Sequence, residues 1–92
     1  MEFEWDPAKA LRNERTHGVS FFEANTVFDD PYSLTRPDRA HSYNEERFVT
    51  LGLSDAGRIL VVVHSERGTA IRIISARRAT SHERNRYEHS PS

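Results

Sequence analysis

Six side chains in the last third of the chain could do acid–base and phosphate chemistry together: His64, Glu66, Arg72, Arg77, Arg78 and Tyr87. They comprise an acid–base pair, three cations and a phenol. Cleavage of RNA without a metal needs groups of these types. A base takes the proton of a 2′-hydroxyl, cations stabilise the added charge on a five-coordinate phosphate, and an acid protonates the leaving 5′-oxygen. Arginine suits the second task because its fork is planar and permanently charged. Twelve of the thirteen basic residues are Arg, with Lys9 the single Lys. A GC-rich genome would produce the same bias, so position matters more than number.

Strand geometry tests whether these groups can meet. His64 and Glu66 are two residues apart and share a face of one strand. A two-residue loop at Arg67-Gly68 needs positive φ at Arg67, which is unfavourable. A type I turn with Gly68 as a bulge is easier, and it sets even-numbered residues opposite even-numbered ones. The expectation is therefore that Arg72 faces the same side as His64. A slip of one residue sends it to the other face. Each residue also has a plain structural reading. His64 can be a hydrogen-bonded strand histidine, Glu66-Arg67 a solvated turn, Arg77-Arg78 partners for the acidic half, and Tyr87 part of the core. The five His residues form no HxH or HExxH pattern, so spacing supports no zinc site. No glycine-rich phosphate loop is present, so neither metal nor cofactor is expected.

The elements that must position these groups are readable. A chain of 92 residues is one small domain, expected over residues 1–92. Hydrophobic residues are 36% and charged residues 29%, and mean hydropathy is −0.75. Nine aromatics (five Phe, three Tyr and one Trp) can still seed a core. There is no Cys, which excludes disulfides and a thiolate nucleophile. The acidic opening MEFEWD argues against an export signal, and no apolar run is long enough to span a membrane, so the cytoplasm is expected. Charge is uneven: residues 1–46 carry 10 acidic and 5 basic side chains, and residues 47–92 carry 4 and 8.

Phe3 to Trp5 can form a short strand. Asp6-Pro7 starts a helix that runs to about Thr16 or His17, and Gly18 fits the left-handed stop beyond its end. Ala10 and Leu11 give it only a weak apolar stripe. Ser20 and Glu23 form a capping box for a second helix, whose Phe21, Ala24, Val27 and Phe28 share a face. Trp5, Phe21, Phe22 and Phe28 are expected in the core, with Arg12 and Arg15 in ion pairs on the helix surface in preference to weak RNA contacts. Residues 32–45 read as irregular around Pro37, Asp38 and Asn44, with a short strand near Tyr32–Thr35. Strands follow at about 48–53, at Ile59–Val63 as a central strand, and at Ala70–Ala76, with turns between. Thr80 and Glu83 open a last helix to about Glu88. The order β, α, α, β, β, β, β, α is an α+β layout, with N-terminal helices on an antiparallel sheet. Residue chemistry alone supports a small α+β domain that binds RNA or another anion.

Two stretches carry a resemblance. FEWDPAKALRNERTHGVSFFEANTVFDDP and ERFVTLGLSDAGRILVVVHSERGTAIRIISARRATSHERNRYE resemble BrnT-type toxins, and the likeness runs from Phe3 to Glu88. The resemblance implies a RelE-like fold and a metal-independent endoribonuclease that blocks translation. It implies a BrnA-type ribbon-helix-helix antitoxin as partner, in a 2:2 heterotetramer that reaches operator DNA only through the antitoxin. Arg72, Arg77 and Arg78 match the family's functional arginine block, and Glu66 and Tyr87 are carried over with them; His64 is added from chemistry. Related RelE-like enzymes often use several Lys residues, whereas this chain has one. Arg or His must therefore take that role, and base and acid stay unassigned. The alternative is a non-catalytic module that binds RNA or the antitoxin.

Overall fold

The computed structural model describes residues 1–42 and 45–90; the expectation at Asn44 lies outside them. Strand β1 (Glu2–Glu4) leads into helix α1 (Pro7–His17) and helix α2 (Phe21–Asn25), which continues as a 3₁₀ turn over Thr26–Asp29. Strand β2 (Leu34–Pro37) and a 3₁₀ turn over Arg39–His41 precede β3 (Arg47–Leu53), β4 (Ile59–Arg67), β5 (Ala70–Arg78) and helix α3 (Ser81–Glu88). The predicted caps form, except that only half of the capping box at Ser20 closes, because the Glu23 carboxylate is taken by Ser54 and Arg58. Asp6 accepts from the Ala8 amide, Gly18 closes α1 at φ 68°, Ser20 accepts from Glu23, and Thr80 and Glu83 cap α3 reciprocally.

The strands form one sheet in the order β1-β5-β4-β3-β2. β4 sits at its centre, as its β-branched run predicts. The sheet is mixed rather than wholly antiparallel, because β1 lies parallel to β5 with Phe3 beside Ile71. The connection between these parallel strands carries the whole intervening chain, so no tight turn forces them antiparallel. Pro37, which lacks an N–H, is tolerated because β2 is an edge strand.

Helices α1 and α2 cover one face of the sheet, the helix face. Its core is Phe21, Ala24 and Val27 against Leu60, Val62, Ile73 and Ala76, with Phe3, Trp5 and Phe28 at the margin. Phe22 departs from expectation. It is 73% exposed and meets Trp5 edge-on at 5.0 Å, because α2 turns only Phe21 and Ala24 inward. Arg12 and Arg15 make no ion pair among the described residues. The opposite, open face is covered by α3 at one end only, where Leu51, Val61 and Ala79 pack with Leu34, Ile59 and Tyr87.

The sole buried residue of α1 is not apolar. Asn13 is 7% exposed, while Leu11 is 54% exposed. The Asn13 amide reaches the edge of β5 beyond the end of β1. It donates to the carbonyls of Ala76 (2.8 Å) and Val19 (3.0 Å) and accepts from the Ala76 amide (3.1 Å). One side chain thus does the work of a missing neighbouring strand, satisfying backbone groups that burial would otherwise leave unpaired.

Candidate active site

The β4–β5 hairpin overturns the predicted register. Arg67 pairs with Ala70, so the loop is Gly68-Thr69. Gly68 has φ 59° and no non-glycine residue among the described residues has positive φ, the pattern of a type II′ turn. Near the turn even-numbered residues therefore oppose odd-numbered ones: Ser65 faces Arg72 and His64 faces Ile73. A bulge does occur, but farther on. Val63 pairs with Ser75, which leaves Ile74 as the extra residue. Beyond it Val62 pairs with Ala76 and Leu60 with Arg78. Gly68 takes the positive φ itself, so neither Arg67 nor the hairpin needs the bulge at the turn.

Cross-strand partners share a face, so this register divides the six candidates. His64, Glu66 and Arg78 stand on the helix face, and Arg72 and Arg77 stand on the open face with Tyr87 above it. His64 is 3% exposed. It lies between Phe48 (5.9 Å, stacked) and Phe28 (4.8 Å, edge-on), and its Nε2 is 2.7 Å from the Thr50 hydroxyl, which in turn meets Thr35. Burial pushes its pKa down to about 4 and keeps it neutral. Buried on the far face, His64 cannot be the base of a site on the open face. Glu66 is exposed at the hairpin end, and Arg78 is exposed near Glu23, which Arg58 engages through its Nε and Nη2.

Tyr87 is committed to structure. Its hydroxyl donates to Asp30 Oδ2 at 2.5 Å, while the same carboxylate accepts from the backbone amides of Leu53 and Tyr32. Burial, then the Asp30 hydrogen bond and charge, push the phenol up to about 12. It pins α3 to the chain before β2.

The open face reads as rows across the sheet. One row is Leu34, Leu51, Val61 and Arg77; the next is Arg36, Val49, Val63 and Ser75; the third is Arg47, Ser65, Arg72 and Glu4. Val61 and Arg77 of the first row and the whole second row line a cleft of about 240 Å³, with an apolar centre of Val49, Val61 and Val63. Arg77 stands at one rim. Its Nη1 and Nη2 bind the two Glu83 oxygens at 2.8 and 3.0 Å, which fixes the fork. The Arg77 hydrogen bond is the main reason Glu83 falls to about 2, and it outweighs burial. Arg36 stands at the other rim and has no ion-pair partner among the described residues. Arg72 lies about 16 Å from Arg77 along β5, at 3.3 Å per residue. It is 3.7 Å from Glu4, in a cluster where Arg67 also meets Glu4 and Glu45.

Three further residues line the same cleft: His17, Asp38 and His41. His17 and His41 form no zinc-ligand spacing and stand far from the arginine block in sequence, so neither pattern marks them. The Asp38-x-x-His41 spacing is the one local signal, and it is weak without knowing where the turn lies.

This fold and face can be set against known proteins. The family model described as the ribonuclease toxin, BrnT, of type II toxin-antitoxin systems matches residues 5–83. The chain belongs to the BrnT family. Among solved structures it is similar to the 1.1 Å crystal structure of the Brucella abortus ribonuclease toxin, BrnT. That similarity has a TM-score of 0.69 at 23% identity, over 88% of this chain and 99% of that one. At this identity the match establishes the shared mixed α+β fold. No curated protein sequence matches the chain. Membership makes it a ribonuclease toxin of the type II class, and that class implies a protein antitoxin as partner. No helix among the described residues is long and apolar enough to cross a membrane.

Proposed function

We propose that this chain is a metal-independent endoribonuclease of RelE-like type, a single domain over residues 1–92 that acts in the cytoplasm and blocks translation. It cleaves by attack of the RNA's own 2′-oxygen. A BrnA-type ribbon-helix-helix antitoxin neutralises it in a 2:2 heterotetramer and carries it to operator DNA.

The observation that carries this reading is the open-face cleft, where Arg36 and Arg77 flank an apolar floor on opposite rims. Three strand spacings, about 14 Å, separate β2 from β5, so the rims admit a ribose-phosphate strand between them. The two guanidiniums attract phosphate, and the Val49–Val63 floor offers apolar contact to a sugar or base. Arg72, farther along the face, supplies a contact for an adjoining phosphate. Arg77, fixed by Glu83, can stabilise the five-coordinate phosphate without reorganising, which is where most of the rate enhancement in such sites arises. Glu66, His64 and Arg78 take no part, because they lie across the sheet.

The test is cleavage of a defined RNA in EDTA by antitoxin-free protein, with and without ribosomes. Products ending in 2′,3′-cyclic phosphate and 5′-hydroxyl are expected. Arg36→Ala is expected to lose about 10²–10³ in rate, the usual loss when one transition-state donor is removed. Binding without cleavage under every condition moves the chain to a non-catalytic role.

A further inference from the structure

The two histidines of the cleft enter it from opposite sides of the sheet. His17 is the last residue of α1, which lies along the β5 edge, anchored there by Asn13 on Ala76. His41 ends the 3₁₀ turn that follows β2, the other edge. The turn is tied to β3 rather than left hanging. The Asp38 amide donates to the Arg47 carbonyl (2.7 Å), the Ser42 hydroxyl donates to the Asp38 carbonyl (2.7 Å), and the Arg47 amide donates to that hydroxyl (3.0 Å). Within it, His41 Nδ1 lies 3.1 and 3.2 Å from the two Asp38 oxygens. A carboxylate only accepts, so Nδ1 carries the proton and Nε2 is left with a free lone pair. Nε2 has no partner among the described residues.

We infer that His41, oriented by Asp38, and His17, facing it from the other rim, are the general base and general acid of the cleavage. This rests on the ribonuclease reading above and supplies the two roles it lacks. The argument is geometric. In an in-line displacement the attacking 2′-oxygen and the leaving 5′-oxygen lie on opposite sides of phosphorus, so base and acid must approach from opposite directions. The cleft has one imidazole on each rim and a cation beside each: Arg36 on the β2 side, Arg77 on the β5 side.

His41 Nε2 takes the 2′-hydroxyl proton while Asp38 stabilises the imidazolium that forms. The 2′-oxygen bonds to phosphorus, and the P–O5′ bond breaks. Its electron pair stays on O5′, which receives the proton of His17. One proton enters the protein and one leaves, so charge balances. The products are a 2′,3′-cyclic phosphate and a 5′-hydroxyl, and exchange with water resets both rings. His17 fits the acid role by position, on the rim of the cleft opposite His41. At about 240 Å³ the cleft is smaller than the roughly 300 Å³ at which small-molecule sites begin, in keeping with room for one scissile linkage.

The experiment first maps the cleavage position in a defined RNA, then replaces the 5′-oxygen there with sulfur. A thiolate leaves without an acid, so this substrate separates the two roles. Wild type, His17→Ala and His41→Ala are compared on both substrates. Both side chains are exposed, and thermal melts check folding. Each variant is expected to lose about 10²–10⁴ on ordinary RNA. On the sulfur substrate His17→Ala recovers to near the wild-type rate, and His41→Ala does not. Asp38→Asn, a change at a positioning residue, is expected to lower kcat without raising KM and to add nothing in the His41→Ala background. Wild-type cleavage that both alanine variants match within threefold overturns the inference and leaves the ribonuclease reading standing. Equal sulfur rescue of both variants, or of neither, overturns the assignment of roles. A wild type that cleaves neither substrate removes the ribonuclease reading, and the inference with it.

Discussion

Replacing Asn13 by Ala is expected to destabilise the protein more than replacing any other residue of α1. The side chain satisfies three buried backbone groups: the carbonyls of Val19 and Ala76 and the amide of Ala76. A buried backbone group left without a partner costs about 1–3 kcal/mol, so truncation is expected to cost about 3–5 kcal/mol after partial relaxation. The whole stability of a chain this size is about 5–14 kcal/mol. Leu11→Ala is the matched control. Leu11 is 54% exposed, so its removal is expected to cost less than about 1 kcal/mol. Urea unfolding of the two variants at pH 7 measures both, read as midpoint shifts at constant m. The order is the reverse of what residue type suggests, since leucine is ordinarily core and asparagine surface. A Leu11→Ala loss equal to or larger than the Asn13→Ala loss refutes the claim that the amide closes the β5 edge. Asn13→Asp sharpens the point. It keeps the acceptor for Ala76 but sets an oxygen against two carbonyls, so it is expected to be no better than Ala.

Other consequences are checked in the same way. His64 titrates near 6.5 when unfolded and at about 4 when folded, so protonation favours the unfolded chain. Its contribution is complete above pH 6.5 and is eroded as pH falls toward 4, amounting to about 2 kcal/mol lost by pH 5. His64→Leu is expected to flatten that fall, since Thr50 keeps its Thr35 partner; identical urea midpoints for wild type at pH 7 and pH 5 contradict it. Glu83, held at about 2 by Arg77, adds a second loss below pH 4.5 that Glu83→Gln abolishes, worth about 1–2 kcal/mol once the exposure of Arg77 is discounted. Tyr87→Phe removes the bond to Asp30 and is expected to cost about 1–3 kcal/mol in a thermal or urea melt. Gly68→Ala forces a side chain to φ 59° and is expected to cost about 1 kcal/mol, with hydrogen exchange fastest at the β4–β5 turn.

By itself the sequence determined the elements and nearly all of their order. Caps at Asp6, Ser20 and Thr80, the stop at Gly18 and the β-branched run at Ile59–Val63 are local signals, and local sterics and hydrogen bonding suffice to read them. It also yielded the family, through blocks long enough to be specific. Tertiary structure decided which residues face one another. Whether Arg72 joins His64 depends on a one-residue choice, a two-residue loop at Gly68-Thr69 or a turn with Gly68 as an extra bulged residue, and that choice flips every side chain near the turn. The bulge at Ile74 then flips the remainder back, so Arg77 returns to the open face while His64 is buried under Phe28. The parallel pairing of β1 with β5, the burial of Asn13 and the placing of His17, Arg36 and His41 around one cleft join residues far apart in the chain. None leaves a local trace, because each exists only once the strands have taken their order: the edge of β5 needs a partner only where β1 stops short, and two rims form a cleft only when β2 and β5 are three strands apart.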